Sequence, residues 1–242
     1  FPWHYFVSFV GPHDPFDPPT EYADRYRDAP MPPAIADSME GKPKAVTEKV
    51  LDLSPEEIAV TRRQYCAAIE LIDDQIGRML DALEARGTLD NTYIIYSADH
   101  GEMMGDHGLY TKSVAYEASI RVPLLIAGPG IAGGRVAHTP VELIDVNPTL
   151  CDLASVPAQI QIDARSVVPV LRGEAETHRA DTVSAIRHFR CIRTDRYKYI
   201  ENYNALDELY DLEQDPDELV NLIESEPEIA QSLSRRLRSR YL

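Results

Sequence analysis

The sequence predicts an α/β fold, with a mostly parallel central sheet flanked by helices and then a small C-terminal α+β subdomain with antiparallel strands. Three observations carry this. Apolar, β-rich runs flank one long helical pattern in the first half of the chain. Short strand-like runs follow one another closely after residue 180. The chain ends in an amphipathic helical pattern. Residues 1–180 are thus expected to form an α/β domain and residues 181–242 a small antiparallel-sheet and helix subdomain.

Tyr5-Phe6-Val7-Ser8-Phe9-Val10 reads as a buried strand, broken by Gly11-Pro12. Residues 12–53 carry many prolines and read as a long irregular excursion with a short helix around Glu21–Arg27. Ser54-Pro55-Glu56-Glu57 is a helix start, with Ser54 as N-cap, Pro55 at the first helical position and Glu57 closing a capping box. Ile58, Tyr65, Ile69, Ile72, Ile76, Met79, Leu80 and Leu83 follow at helical spacing, and Gly87 ends the run. At about 1.5 Å per residue this helix spans roughly 48 Å. Residues 92–98 supply the next strand, so strand, helix and strand form a right-handed βαβ unit with parallel strands. Val122–Ala127 reads as a third buried strand, and Asp145–Ala154 as a short helix with Pro148 in its first turn.

Beyond residue 180, Thr182–Ile186, Arg190–Arg193, Tyr197–Glu201 and Glu208–Leu212 read as strands. Thr194-Asp195-Arg196 turns a hairpin between the second and third. Residues 226–241 form a terminal helix, with Ile229, Leu233, Leu237 and Leu242 inward and Arg235, Arg236, Arg238 and Arg240 on a solvated outer face. There is no internal repeat and no low-complexity segment.

The 242 residues carry a formal net charge of −16. That balance argues against nucleic acid or an anionic membrane as partner, since both select Lys/Arg patches. A small anionic substrate stays compatible, because a few cations can be focused in one pocket. Cys66, Cys151 and Cys191 are odd in number and make no CxxC, so free thiols are expected rather than a disulfide framework or structural zinc. No run reaches the ~20 apolar residues of a membrane span. The chain opens on Phe1-Pro2-Trp3-His4 without an initiator Met or signal peptide, so an N-terminal portion is expected to be missing and the compartment is left open.

The run Tyr93–Ala98 ends in Asp99, His100 and Gly101. Ligands bind at the carboxyl ends of strands in open α/β sheets, and a carboxylate with an imidazole suits Mn²⁺ or Zn²⁺ better than Ca²⁺ or Mg²⁺. The plain alternative has Asp99 capping a turn and His100 on the surface. Two residues also fall short of the three or more ligands of a catalytic site. Lys112 follows a Gly-rich loop from Gly101 to Gly108 and could reach an anion beside the metal, or be merely solvated. His13 follows the first run and could protonate a leaving group or bind an anionic oxygen, or be a turn histidine held by backbone. Asp106 and His107 either line the pocket or hold the loop. Asp73-Asp74 lies mid-helix with its side chains diverging and is rejected as a metal site.

Taken together, Ser97–Lys112 (SADHGEMMGDHGLYTK) and its continuation Tyr116–Leu124 resemble the second signature region of the sulfatase family. Gly11–Pro19 is similar to that family's mid-chain histidine motif. Tyr210–Glu218 with Asn221-Leu222 resembles its C-terminal signature. The segments occur in the family's order and cover nearly the whole chain.

The resemblance implies an alkaline-phosphatase-like fold, here incomplete, and metal-dependent hydrolysis of a small-molecule or saccharide sulfate ester. Asp99 and His100 would be two ligands of one divalent cation, calcium or manganese. His13 and Lys112 would be catalytic and substrate-binding, contacting the sulfuryl oxygens, where negative charge accumulates. The family's nucleophile is a formylglycine made from Cys or Ser in a C/S-x-P-x-R motif, and no Cys or Ser here begins one. The family's paired N-terminal aspartates and its first-half Lys and His are also absent. The nucleophile and remaining ligands are therefore expected upstream, the fragment alone inactive, and an open apolar sheet edge ready for self-association or for pairing with the missing half. A phosphonate or phosphate ester hydrolase of the same superfamily is the nearer alternative. A non-catalytic sulfatase-like binding protein is the other, though the intact Asp99, His100, Lys112 and His13 argue against decay.

Overall fold

A computed structural model describes residues 2–157 and 163–240. The chain separates into two compact units, residues 1–34 with 52–92, and residues 35–51 with 93–242.

The first unit is built on one long helix. Short helix α1 (Thr20–Ala23) comes first, and the 31-residue helix α3 (Pro55–Ala85) dominates; α2 (Lys44–Thr47) lies between them in sequence and belongs to the second unit. The capping box at Ser54 forms as expected, with the Ser54 hydroxyl accepting from the Glu57 amide and the Glu57 carboxylate accepting from the Ser54 amide. The C-terminus closes by the Schellman pattern: Gly87 adopts φ +66°, its N–H reaches the Glu84 carbonyl at 2.8 Å, and the Thr88 N–H reaches Leu83 at 3.0 Å. Proline-rich chain lies along this helix, where buried Tyr22 donates its hydroxyl to Asp74 at 2.8 Å and Phe16 meets Tyr65 edge-on. Asp74 is therefore a partner of Tyr22.

Residues 5–10 depart from expectation. They carry no ladder, and Tyr5, Phe6 and Val10 are 76%, 80% and 87% exposed. A strand exists only when a second strand satisfies its amides and carbonyls, and none does so here among the described residues.

The second unit holds two sheets. Strands β1 (Ile94–Ser97) and β2 (Leu124–Ala127) pair with each other, antiparallel, with Tyr96 opposite Leu125. The expected parallel βαβ unit is not formed among the described residues, because its first run, residues 5–10, carries no ladder and β1 pairs antiparallel with β2 instead. Neither strand is fully buried, and Tyr96 and Leu125 face solvent. Short helix α4 (Glu117–Ile120) precedes β2. Helices α5 (Val146–Leu153) and α6 (Val168–Leu171) follow it, with Pro148 in the first turn of α5 as expected.

Four antiparallel strands come next in sequential order: β3 (Thr182–Ile186), β4 (Phe189–Arg193), β5 (Tyr197–Asn202) and β6 (Glu208–Asp211). The hairpin at 194–196 is present, with Thr194 and Tyr197 exchanging hydrogen bonds. Side chains alternate across this sheet. One face, with Ile192, Tyr199 and Leu209, packs on Ala230, Leu233 and Leu237 of α7 (Pro227–Ser239). The other, with Phe189, Cys191, Ile200 and Tyr210, packs on Met103, Leu109, Val114, Ala115 and Tyr116. The segment carrying the candidate site is therefore the second cover of the C-terminal sheet.

On α7, Leu242 lies outside the described residues. The outer arginines are more engaged than a solvated face, because Arg236 and Arg240 pair with Asp181 and Arg238 with Glu201. All three cysteines are free thiols. Among the described residues no helix is long and apolar enough to cross a membrane.

Candidate functional site

Asp99 lies two residues past the end of β1 with its side chain 90% exposed, and His100 beside it is 31% exposed. Backbone contacts orient both. The His100 amide donates to Asp99 Oδ1 at 3.0 Å, which turns Oδ2 toward the imidazole. His100 Nδ1 lies 2.9 Å from the Gly101 carbonyl oxygen. A carbonyl only accepts, so Nδ1 carries a proton, and in the neutral ring Nε2 is the nitrogen that can ligate. Nε2 and Asp99 Oδ2 stand 3.7 Å apart. With the ring neutral these are two electron-pair donors on one side of the corner, and a cation between them would join them. The donor set suits a divalent ion, and the backbone bond to Nδ1 is the outer contact that fixes a ligating imidazole. It is still two donors, and among the described residues no three His, Cys, Asp or Glu groups gather to hold a metal.

Gly101 anchors this corner. Its amide donates to the Ser119 carbonyl at 2.7 Å, and a Cβ here would sit well inside 3.0 Å of the Ala118 carbonyl oxygen. Only glycine permits that approach. Buried Ser119 works in both directions, since its hydroxyl also donates to the Lys112 carbonyl at 2.6 Å. One residue of α4 thus ties the backbone beside His100 to the backbone of Lys112. The intervening loop closes on itself: the Met103 amide reaches Thr111 at 3.0 Å, Glu102 accepts from the Thr111 amide, and Gly105 bonds Leu109 at 2.9 Å. The half-buried Lys112 is thereby brought to the Asp99–His100 corner along the backbone. Lys49, whose ammonium burial drives below the usual lysine range, donates to the adjacent Ser113 carbonyl at 2.9 Å.

His107 is buried, and its contacts tie the loop down. Its Nδ1 lies 2.6 Å from Asp37 Oδ2, its amide donates to the Ile35 carbonyl at 2.9 Å, and its ring stacks on Tyr116. Asp106 accepts from the Ile35 amide at 2.8 Å. Burial opposes ionisation of Asp37, but His107, the Met39 amide and Lys42 outweigh it and hold the carboxyl below the ordinary range. Tyr110 is an exception of another kind: among the described residues its hydroxyl is the buried side-chain polar atom without a hydrogen-bond partner.

His13 belongs to the first unit, where its Nδ1 faces the Asp14 carbonyl at 2.9 Å and Asp14 Oδ1 at 3.0 Å. Both are acceptors, so Nδ1 carries a proton and Nε2 is the nitrogen that can exchange one. Sequence reasoning passed over Ser119, Asp37 and Lys49. Ser119 lay inside the quoted Tyr116–Leu124 segment, whereas Asp37 sat in a proline-rich stretch with no signal that it would fold beneath the loop.

A family model described as Sulfatase matches residues 2–156, and one described as N-sulphoglucosamine sulphohydrolase, C-terminal, matches residues 105–241. The chain is similar to a choline-sulfatase of Rhizobium meliloti, 35% identical over 93% of this chain and 47% of that protein. It is similar to an arylsulfatase of Clostridium perfringens, 34% identical over 91% of this chain and 49% of that protein. A crystal structure of the phosphonate monoester hydrolase of Agrobacterium radiobacter superposes with a TM-score of 0.86 at 28% identity, covering 100% of this chain and 57% of the other. The chain spans about half the length of the curated relatives it matches. Its fold is alkaline-phosphatase-like, with a small C-terminal antiparallel sheet, and it belongs to the sulfatase family.

Proposed function

We propose that this chain is the metal- and anion-binding portion of a hydrolase of sulfate esters, small-molecule or saccharide. On this reading residues 1–180 are the C-terminal part of its catalytic α/β domain and residues 181–242 a small subdomain. Asp99 and His100 hold one divalent cation, calcium or manganese, with further ligands from outside these residues. What carries the reading is the facing pair of electron donors, Asp99 Oδ2 and His100 Nε2, each turned outward by a backbone contact on its other heteroatom. Family membership and the choline-sulfatase and arylsulfatase relatives support the substrate class.

When bound, the cation would supply positive charge beside the reacting centre. Lys112, its backbone fixed by Ser119, sets an ammonium against the sulfuryl oxygens, where charge grows as the ester bond breaks. His13, with Nδ1 committed to Asp14, uses Nε2 to contact the same oxygens or give a proton to the leaving oxygen. No Cys or Ser of this chain begins a C/S-x-P-x-R motif, so the nucleophile is assigned to residues beyond these 242, and no step is drawn through it.

The test is titration of the 242-residue chain with Mn²⁺ and Ca²⁺, followed by assay on 4-nitrophenyl sulfate. Weak uptake of one ion, as two donors allow, that disappears in Asp99→Ala and His100→Ala, with no turnover, is the expected outcome. Robust turnover by this chain that vanishes in His13→Ala would sink the assignment of the nucleophile elsewhere. The similarity to a phosphonate monoester hydrolase supports a second reading, in which the ester is a phosphonate or phosphate. Comparing kcat/KM for sulfate and phosphonate monoesters, in a protein containing this chain together with its nucleophile, separates the two.

A further inference from the structure

The loop between His100 and Lys112 is secured from below by a buried polar chain rather than by apolar packing alone. His107 donates to Asp37, whose Oδ2 lies 3.3 Å from Lys42 Nζ. Lys42 donates to the Tyr210 hydroxyl at 2.9 Å and the Glu218 carbonyl at 2.7 Å. The Tyr210 and Tyr116 hydroxyls both donate to Glu208 Oε2, at 2.6 and 2.7 Å. The Lys42 ammonium also stands over both tyrosine rings, at 4.4 and 4.7 Å from their centroids. The side chains of His107, Asp37 and Lys42 are almost wholly shut off from water. A buried ion pair in a connecting loop adds little net stability, because desolvation offsets attraction, but it admits few alternative geometries. That is what a loop needs if it must hold His100 and Lys112 in register.

From this geometry we infer that His107 is a positioning residue for the proposed metal and anion site, acting through Asp37 and Lys42 from the C-terminal sheet. The inference rests on the reading of Asp99, His100 and Lys112 given above. His107 touches neither substrate nor metal; it fixes the turn whose two ends carry them.

The experiment compares His107→Phe, which keeps a ring against Tyr116 but loses the donor, with His107→Asn, whose side-chain amide retains a donor near the Nδ1 position. Amide exchange is followed at Gly101, Met103 and Gly105, with the β4–β5 ladder as internal control. The nitrogen chemical shifts of the His100 ring report its tautomer. In His107→Phe the loop amides should exchange about ten- to a hundredfold faster, the equivalent of one hydrogen bond to a charged group. The ladder should stay unchanged and the His100 ring should lose its single Nδ1–H form. In His107→Asn both readouts should return to wild type. Asp37→Asn probes the same bond from the other side and serves if His107→Phe does not fold. Unchanged loop exchange, equal acceleration in loop and ladder, or no rescue by Asn would each overturn the inference. Mn²⁺ affinity, measured in parallel, separates the two levels. A responsive loop in a chain that takes up no Mn²⁺ upholds the positioning role and overturns the metal reading instead.

Discussion

Replacing Gly101 by alanine tests how tightly the corner beside His100 is built. The added Cβ would lie well inside 3.0 Å of the Ala118 carbonyl oxygen, 3.1 Å from the Ala118 carbonyl carbon and 3.2 Å from the Ser119 carbonyl oxygen. All are backbone atoms, so no flexible side chain can swing away. The strand end must retreat, and retreat stretches the 2.7 Å bond from the Gly101 amide to Ser119. Overpacking costs about 1–3 kcal/mol, and the lost backbone bond about 0.5–1.5 kcal/mol. A total near 2–4 kcal/mol lowers Tm by roughly 4–16 °C for a chain of this size. Ser119→Ala is the control, because it removes the hydroxyl bond to Lys112 but keeps the carbonyl that Gly101 uses; it should cost only about 1 kcal/mol. Thermal unfolding followed by near-ultraviolet circular dichroism measures both. A Gly101→Ala variant that melts within a degree of wild type, or one no worse than Ser119→Ala, would refute the close-approach argument.

Other outcomes follow from single residues. Burial opposes ionisation of Asp145, but Arg179, the Arg165 and Glu142 amides and His178 outweigh it and hold the carboxyl at about 2. Against an unfolded value near 3.9, this depressed carboxyl contributes about 2–3 kcal/mol that is present above roughly pH 4 and lost as pH falls through about 2. Urea unfolding at pH 6, 4, 3 and 2 should therefore show a flatter acid limb for Asp145→Asn than for wild type. Tyr110→Phe removes a buried hydroxyl that satisfies nothing, so it should leave Tm equal or higher; a loss above about 1 kcal/mol would mean that the hydroxyl is bonded in solution. Ser54→Ala removes half the capping box of α3 and should cost about 0.5–2 kcal/mol in chemical denaturation. The Cys191 thiol, buried in the sheet and pushed up to about 11 by burial, should be the last of the three to react with a disulfide reagent under native conditions.

What the sequence disclosed and what it hid divide along a physical line. Helix α3 was legible to within a residue because its start and stop are local chemistry, carried by Ser54, Pro55, Glu57 and Gly87. The four C-terminal strands were legible because each turn brings the next strand back beside the last. Strand pairing over long separations was not. Residues 5–10 and 92–98 have the composition of strands, but composition says nothing about which partner is within reach. The described chain leaves the first run unpaired and gives β1 the partner β2. The same limit applied to the site. Asp99 and His100 announced themselves by residue type, whereas Ser119 and Asp37 matter only through what the fold sets against them.

The segments that carried the resemblance now have a structural relation to each other. Ser97–Lys112 and Tyr210–Glu218 are far apart in sequence, yet they are two ends of one buried network. Lys42 bonds the Tyr210 hydroxyl and the Glu218 carbonyl on one side and faces Asp37, the partner of His107, on the other. Lys198 of β5 bonds Glu117 and Glu218, each at 2.7 Å, and the Glu117 amide donates to Glu218. Burial works against ionisation of Glu117, but Lys198 and Arg193 hold it below the usual range, whereas burial keeps Glu218 above it. One cation between two carboxylates of unequal affinity is a compact way to fix α4 to the sheet, and α4 carries Ser119. A substitution at Glu218 is therefore expected to reach the Asp99–Lys112 loop through Glu117 and Ser119. Glu218→Gln, which keeps the shape and drops the charge, should speed amide exchange at Gly101 more than at Leu233 of α7 on the opposite face. Equal effects at both would show that the acidic C-terminal segment supports the whole subdomain evenly and has no particular hold on the site.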